Sequence, residues 1–167
     1  RRASGDLVRP GIALYGGNPF VDRANPMETV VAVASPVLQV RDVVEPVSVG
    51  YGATHEVTPP ARLATIGVGY ADGYPRALGN RARVSVAGHD SPVVGRVSMD
   101  LTTIDVTGLP DALVAPGTLV ELIGKHVSLD DVAAAANTIS YEILTGLGVR
   151  WQRRYVGARA AQLGMNQ

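Results

Sequence analysis

Cysteine is absent from the 167 residues, which excludes disulfides and thiolate metal sites outright. Lysine is nearly absent too. Of the 15 basic residues only Lys125 is a lysine, the rest being arginine, so any Schiff-base chemistry within this chain would have to use that side chain. Neither charge is in excess, because Lys plus Arg and Asp plus Glu each number 15. A neutral balance argues against nucleic acid or an anionic membrane as the main partner. His55, His89 and His126 are scattered with no carboxylate at ligand spacing, so no metal site is expected. No apolar run approaches the ~20 residues of a membrane span, and Arg1-Arg2-Ala3-Ser4-Gly5-Asp6 lacks the apolar core of a signal peptide. The expectation is a soluble, cytoplasmic protein.

What is abundant is glycine and proline, 19 and 11 residues respectively, recurring between short valine-rich runs. That spacing predicts many short strands joined by tight turns, as in a β-sandwich or barrel. The predicted strands are Val30 to Val43, Val47 to Tyr51, Arg62 to Val68, Arg81 to Ala87, Pro92 to Val97, Leu101 to Val106 and Thr118 to Ile123. Pro36 within the first run implies a bulge or an edge position, since proline cannot donate to a ladder. Two short helices interrupt the pattern. Ser128 is placed as an N-cap ahead of Asp130, Asp131 and an alanine run to Ala136. Ser140 to Leu147 is the second, with Gly148 placed to cap it.

The amino-terminal stretch Asp6 to Gly16 reads as one strand and turn, followed by a polar linker to about Met27. A lone strand cannot bury itself, so it is expected to be the end of a larger unit. The chain thus divides into residues 1–26, a strand and linker; residues 27–157, a mainly β, antiparallel domain with two short helices; and residues 158–167, a flexible tail.

Four stretches set polar or aromatic residues at strand ends, where binding and catalytic groups are usually presented. They are Arg9-Pro10-Gly11-Ile12-Ala13-Leu14-Tyr15-Gly16, Gly50-Tyr51-Gly52-Ala53-Thr54, Gly67-Val68-Gly69-Tyr70-Ala71-Asp72-Gly73-Tyr74 and Gly95-Arg96-Val97-Ser98-Met99-Asp100. Any one of them alone is weak. In this order and spacing they resemble the alanine racemase family, in which a V-R-x-G-I-x-x-Y-G segment ends an α/β barrel. The family's carboxy-terminal β domain then carries Y-G-x-T, G-Y-A-D-G and V-G-R-x-x-M-D. The resemblance spans nearly the whole chain.

That resemblance implies a homodimeric enzyme that interconverts L- and D-alanine with pyridoxal 5'-phosphate (PLP). Moving a Cα proton from one face to the other calls for two bases. One would be a lysine of the barrel; the other, reaching in from the opposite subunit, would be Tyr51. A phenol of ordinary pKa near ~10 is a poor base at neutral pH unless positive charge stands beside it, and no such partner is evident in this chain. Read without the family, Tyr51 is an aromatic plug on a barrel rim. Arg9 would hydrogen-bond the pyridine nitrogen, donating without protonating it because a guanidinium keeps its proton near pH 7; its plain alternative is a salt bridge. Gly11 and Ile12 match backbone N–H groups that meet the PLP phosphate. Met99 matches a backbone N–H that binds the substrate carboxylate, although its side chain alone suggests core filler. Tyr70 and Asp100 would line the substrate entrance, while Asp72 reads as a turn former.

There are departures. A tyrosine that some members carry near Val149, at the phosphate, is not seen there, and the family's PLP-lysine motif is absent from this sequence. Lys125 lies in a turn with no phosphate-cradling context, so the chain alone is expected to be inactive. Two other readings stay open: a non-catalytic β-barrel binding or dimerisation module, and a racemase of broader or serine specificity. A PLP decarboxylase is disfavoured because such sites use a cysteine, of which there is none.

Overall fold

The computed structural model describes residues 6–157; the expected tail, residues 158–167, lies outside them. Six strands, β1 (Val33–Val43), β4 (Ala61–Ile66), β5 (Arg83–Val86), β6 (His89–Val94), β7 (Thr102–Asp105) and β8 (Leu119–Ile123), close into an antiparallel barrel. Around it they run in the order β1-β4-β7-β6-β5-β8. The interior is filled by Val37, Ile66, Val84, Val86, Ile104, Val120 and Leu122, each no more than 1% exposed. Each such side chain gains roughly 1.5–3 kcal/mol from burial, and closure leaves no unpaired edge among the six. The mainly β expectation holds.

Pro36 is not on an edge. It sits where β1 changes partner from β8 to β4, between register shifts at Val33/Ala34 and Val37/Gln39. The missing N–H is thereby absorbed at an irregularity, as a bulge would do.

Two strand boundaries differ from expectation for backbone reasons. Ala87 and Gly88 both take positive φ, 51° and 86°, forming the two-residue turn that matches the strand twist. β6 therefore begins at once, at His89, and ends at Val94, because Gly95 turns out of the ladder with φ 74°. The strand expected from Val47 to Tyr51 stops at Val49. β2 (Val47–Val49) and the unanticipated β3 (His55–Val57) form a two-stranded hairpin whose loop is residues 50–54. The hairpin is anchored through a second apolar cluster of Val43, Val49, Val57, Leu63 and Val94.

Helix α1 (Leu129–Ala135) is capped as expected, with Ser128 Oγ accepting from Asp131 N at 3.0 Å. Helix α2 (Ser140–Gly146) ends one residue early, and Gly148 does not cap it: Leu147 is extended, with ψ 107°. The cause is crowding. A Cβ on Gly73 would collide with the Gly146 carbonyl, so the end of α2 abuts the Tyr70–Gly73 turn.

The strand expected within Asp6–Gly16 is not formed. Ile12–Tyr15 makes a one-turn 3-10 helix closed by Gly16 at φ 84°. Residues 6–11 find no ladder partner among the described residues, and an unpartnered strand has nothing to satisfy its backbone. Asp130 fastens this segment to the helices. Its Oδ2 accepts from Asn18 N at 2.9 Å and Asn25 Nδ2 at 3.2 Å, and its Oδ1 from Ser140 Oγ at 2.5 Å.

Candidate active site

Tyr51 stands at the tip of the β2–β3 hairpin, 71% exposed. Its turn is built on glycine: Gly50 and Gly52 both have φ 77°, a region that L side chains rarely adopt. Gly50 is also pressed on the neighbouring loop, where an added Cβ would lie 2.8 Å from Arg96 N. The phenol is thus held clear of the barrel on a turn whose base cannot move inward. Arg96 brings its guanidinium beside the turn, with Cζ 3.8 Å from the Cβ position of Gly52. The chain therefore sets a guanidinium against the backbone of this turn, an approach between separate loops that no local pattern of residues announces.

Met99 and Tyr70 share the same rim and are bonded through backbone. Tyr70 N donates to Ser98 O at 3.0 Å and Ala71 N to Met99 O at 2.9 Å. Both side chains are exposed rather than packed in the core, so Met99 is not core filler. Asp72 and Asp100 prove to be one unit through Arg150. Its Nε lies 3.2 Å from Asp72 Oδ1 and its Nη1 2.7 Å from Asp100 Oδ1. Hydrogen bonding to Asp100, then the charge of Asp72, raises the Arg150 pKa still further. Asp72 is buried, its Oδ2 accepts from Gly69 N at 2.9 Å, and its carbonyl accepts from Trp151 Nε1 at 2.6 Å. Its structural reading fits. Asp100 carries an ion pair at the same place, so it is less free than an entrance residue alone would be.

The second tyrosine of the Tyr70–Tyr74 stretch has the opposite setting. Tyr74 is 4% exposed, and desolvation drives its pKa well above that of an ordinary phenol. It cannot act as a base near neutrality.

Arg9, Gly11 and Ile12 form a separate group within residues 9–12. Arg9 is exposed, and Ile12 packs partly on the core. Among the described residues no hydrogen bond or ion pair joins this group to Tyr51, Tyr70, Met99 or Asp100. The fold instead brings Tyr141 to it. A Cβ on Gly11 would collide with Tyr141 Oη, and a cleft of about 400 Å³ beside them is lined by Ile12, Asn18, Asp130, Ser140 and Tyr141. Nothing local in Ser140-Tyr141-Glu142 announces a contact with a segment 130 positions earlier. Val149, near which some family members carry a tyrosine, is exposed. Lys125 is exposed in the β8–α1 turn. That turn is organised by Glu121, which accepts from His126 N at 2.6 Å and Val127 N at 3.0 Å. Burial raises the Glu121 pKa, but these bonds outweigh it and the net displacement is downward. Among the described residues, no helix is long and apolar enough to cross a membrane.

Comparison with known proteins gives this arrangement a family. Residues 30–155 match the profile of the alanine racemase C-terminal domain. The alanine racemase of Rhodospirillum rubrum is 56% identical over 154 residues, covering 92% of this chain and 41% of that protein. A catabolic alanine racemase of Rhizobium johnstonii is 54% identical over 151 residues, with 90% and 40% covered. Among solved structures, the Bartonella henselae alanine racemase with covalently bound pyridoxal phosphate superposes with a TM-score of 0.83 at 47% identity, covering 90% of this chain and 42% of that one. The biosynthetic enzyme of Pseudomonas aeruginosa gives 0.84 at 39% identity, with the same coverage. The chain spans about two fifths of the length of these relatives. On the profile match and these relatives together, the chain belongs to the alanine racemase C-terminal domain family.

Proposed function

We propose that this chain is the carboxy-terminal portion of a PLP-dependent alanine racemase that interconverts L- and D-alanine, with Tyr51 as one of two bases. The observation that carries this is the rim itself. An exposed phenol on a pinned glycine turn, a neighbouring guanidinium, and the Met99 loop all face outward, as groups meant for a site completed by other residues would.

PLP when bound supplies the electron sink that makes removal of a Cα proton feasible. The residues present fit it. The N–H groups of Gly11 and Ile12 donate to no acceptor among the described residues, and the Tyr141 hydroxyl stands over Gly11 where a side chain would block the approach. An anion such as the phosphate is suited to such converging donors. Arg9, exposed two residues earlier, would donate to the pyridine nitrogen and remain charged throughout. On the other rim the Met99 backbone N–H would hold the substrate carboxylate, Tyr51 would take or return the Cα proton, and Tyr70 and Asp100 would line the approach. The lack of any hydrogen bond or ion pair between the two groups among the described residues supports serving two active sites: Arg9, Gly11 and Ile12 the PLP of their own subunit, the Tyr51 rim that of a partner in a homodimer.

On this reading residues 1–26 end a PLP-binding barrel, residues 27–157 form the β domain, the enzyme works in the cytoplasm, and D-alanine feeds peptidoglycan precursors. A second reading, a binding or dimerisation module without catalysis, is favoured by the exposed Leu7, Leu14 and Val21. Broader amino-acid or serine racemisation is a variant of the first.

The test is a chimera in which this chain replaces the matching stretch of the R. rubrum enzyme, incubated with L-alanine in D₂O. Deuterium entering Cα with inversion, abolished by Tyr51→Phe, is the expected result. Full activity in the Tyr51→Phe chimera would favour the module reading, with Tyr51 a rim plug. The chain alone with PLP should exchange no faster than free PLP; faster exchange would mean that Lys125 or another group here suffices.

A further inference from the structure

We infer that Asn80 is a positioning residue that fixes the separation between the Tyr51 turn and the Met99 loop, an inference that rests on the roles proposed for those two. Asn80 follows the one-turn helix Arg76–Leu78 with φ 59°, a left-handed conformation that asparagine tolerates better than most side chains. Both ends of its amide are used. Oδ1 accepts from Gly95 N at 2.6 Å, while Nδ2 donates to Thr54 O and Thr54 Oγ1, each at 3.3 Å. Thr54 closes the Tyr51 turn, and Gly95 opens the loop that leads to Met99. One side chain therefore bonds both arms of the rim.

The surrounding backbone explains why a tether is needed. An added Cβ at Gly95 would lie 2.8 Å from Val49 O, and one at Gly79 2.7 Å from Gly95 O. Three backbone segments thus lie against each other with no room for a methyl group. Such contact limits how closely they approach but leaves them free to slide, whereas hydrogen bonds are directional and fix the lateral register. Within the Tyr51 turn the only other closing bond among the described residues is Ala53 N to Gly50 O, at 3.2 Å. Asn80 has no contact with the Tyr51 phenol or the Met99 N–H among these bonds; it acts through the turns that carry them.

Two variants of the R. rubrum chimera separate its two ends. Asn80→Asp keeps the acceptor for Gly95 but sets a carboxylate against the Thr54 carbonyl, which loosens that arm to at most a bond accepted from the Thr54 hydroxyl. Asn80→Gly keeps the left-handed backbone and releases both. A misplaced base slows proton transfer steeply, so Asn80→Asp should lower kcat by about 10- to 100-fold with KM little changed. Asn80→Gly should also raise KM. Because only one face uses Tyr51, the primary isotope effect with Cα-deuterated alanine should rise for one enantiomer and fall for the other. Amide hydrogen exchange gives a readout independent of turnover: faster exchange in residues 50–54 alone for Asn80→Asp, and in residues 50–54 and 95–99 for Asn80→Gly. Unchanged exchange in residues 50–54 of Asn80→Asp, or a loss of activity with symmetrical isotope effects, would overturn the proposal while leaving the Tyr51 assignment intact. Unfolding of both variants would make Asn80 simply structural and overturn it too. An active Tyr51→Phe chimera would remove the assignment itself, and this inference with it.

Discussion

The barrel wall and its rim use the same residue types to opposite ends. Inside the wall, valine, isoleucine and leucine alternate with outward residues and are almost wholly removed from water. On the rim, Tyr51, Tyr70 and Met99 are left exposed, held by glycine turns and by polar bridges through Arg150 and Asn80. The two tyrosines Tyr51 and Tyr74 mark the contrast within one residue type. Tyr74 is buried, its phenol held protonated by desolvation, while Tyr51 is presented to solvent on a turn with no room beneath it. The wall therefore answers to packing and the rim to placement, and substitutions in the two should fail in different ways.

The largest expected effect is on the rim. Tyr51→Phe in the chimera should lower kcat by about 10²- to 10⁴-fold, the usual contribution of a general base, with an unchanged melting curve because the hydroxyl supports nothing in the fold. Wild-type turnover would erase the contrast. Next comes the wall. Leu122→Ala, at a fully buried position, should cost about 2–5 kcal/mol in denaturant unfolding. The KM of whatever protein stays folded should be unaffected; a selective loss of kcat in folded protein would show that wall and rim are coupled. Arg150→Gln removes the bridge between Asp72 and Asp100. Both Arg150 and Asp100 are about half exposed, so solvent screens the pair. A several-fold rise in KM with little movement of the melting temperature is the expected result of steady-state kinetics and calorimetry.

The smallest effect concerns the β8–α1 turn. The folded pKa of Glu121 lies below its ordinary value, so its ionised form stabilises the fold above the unfolded pKa, and this contribution is lost as pH falls through the folded value. Glu121→Gln should melt slightly lower than the parent at neutral pH, with the difference closing as pH falls through the folded pKa of Glu121. A difference that stayed constant with pH would assign the effect to geometry rather than charge. Turnover should not change.

How much was legible follows from how local each signal is. Seven barrel and hairpin strands were readable because glycine, proline and valine runs are contiguous in the chain. β3 was not: three residues, His55-Glu56-Val57, carry too little pattern to register, and only the hairpin partner makes them a strand. The Asp6–Gly16 segment was misread because its apolar content suits a strand, whereas strand formation depends on a ladder partner it does not find here. Gly148 was misread as a cap because the end of α2 is set by a collision with Gly73, a residue of another loop. The residues proposed for the site, Tyr51, Tyr70, Met99, Asp100, Arg9, Gly11 and Ile12, each stand in ordered motifs visible in line. Arg96 beside the Tyr51 turn, Tyr141 over Gly11, Asn80 between two loops and the Arg150 bridge were not.

Read in line, the residues already specify a β-rich domain without thiol or multi-lysine chemistry, and which short stretches carry its polar rim. Composition, turn residues and side-chain alternation act over a few neighbouring positions and can be read in line. Folding alone settles which distant groups stand against each stretch, as Tyr141 does at Gly11 and Asn80 between Thr54 and Gly95. Those relations rest on barrel closure and on backbone approaches between loops far apart in the chain, and no local pattern of residues encodes a distance in space.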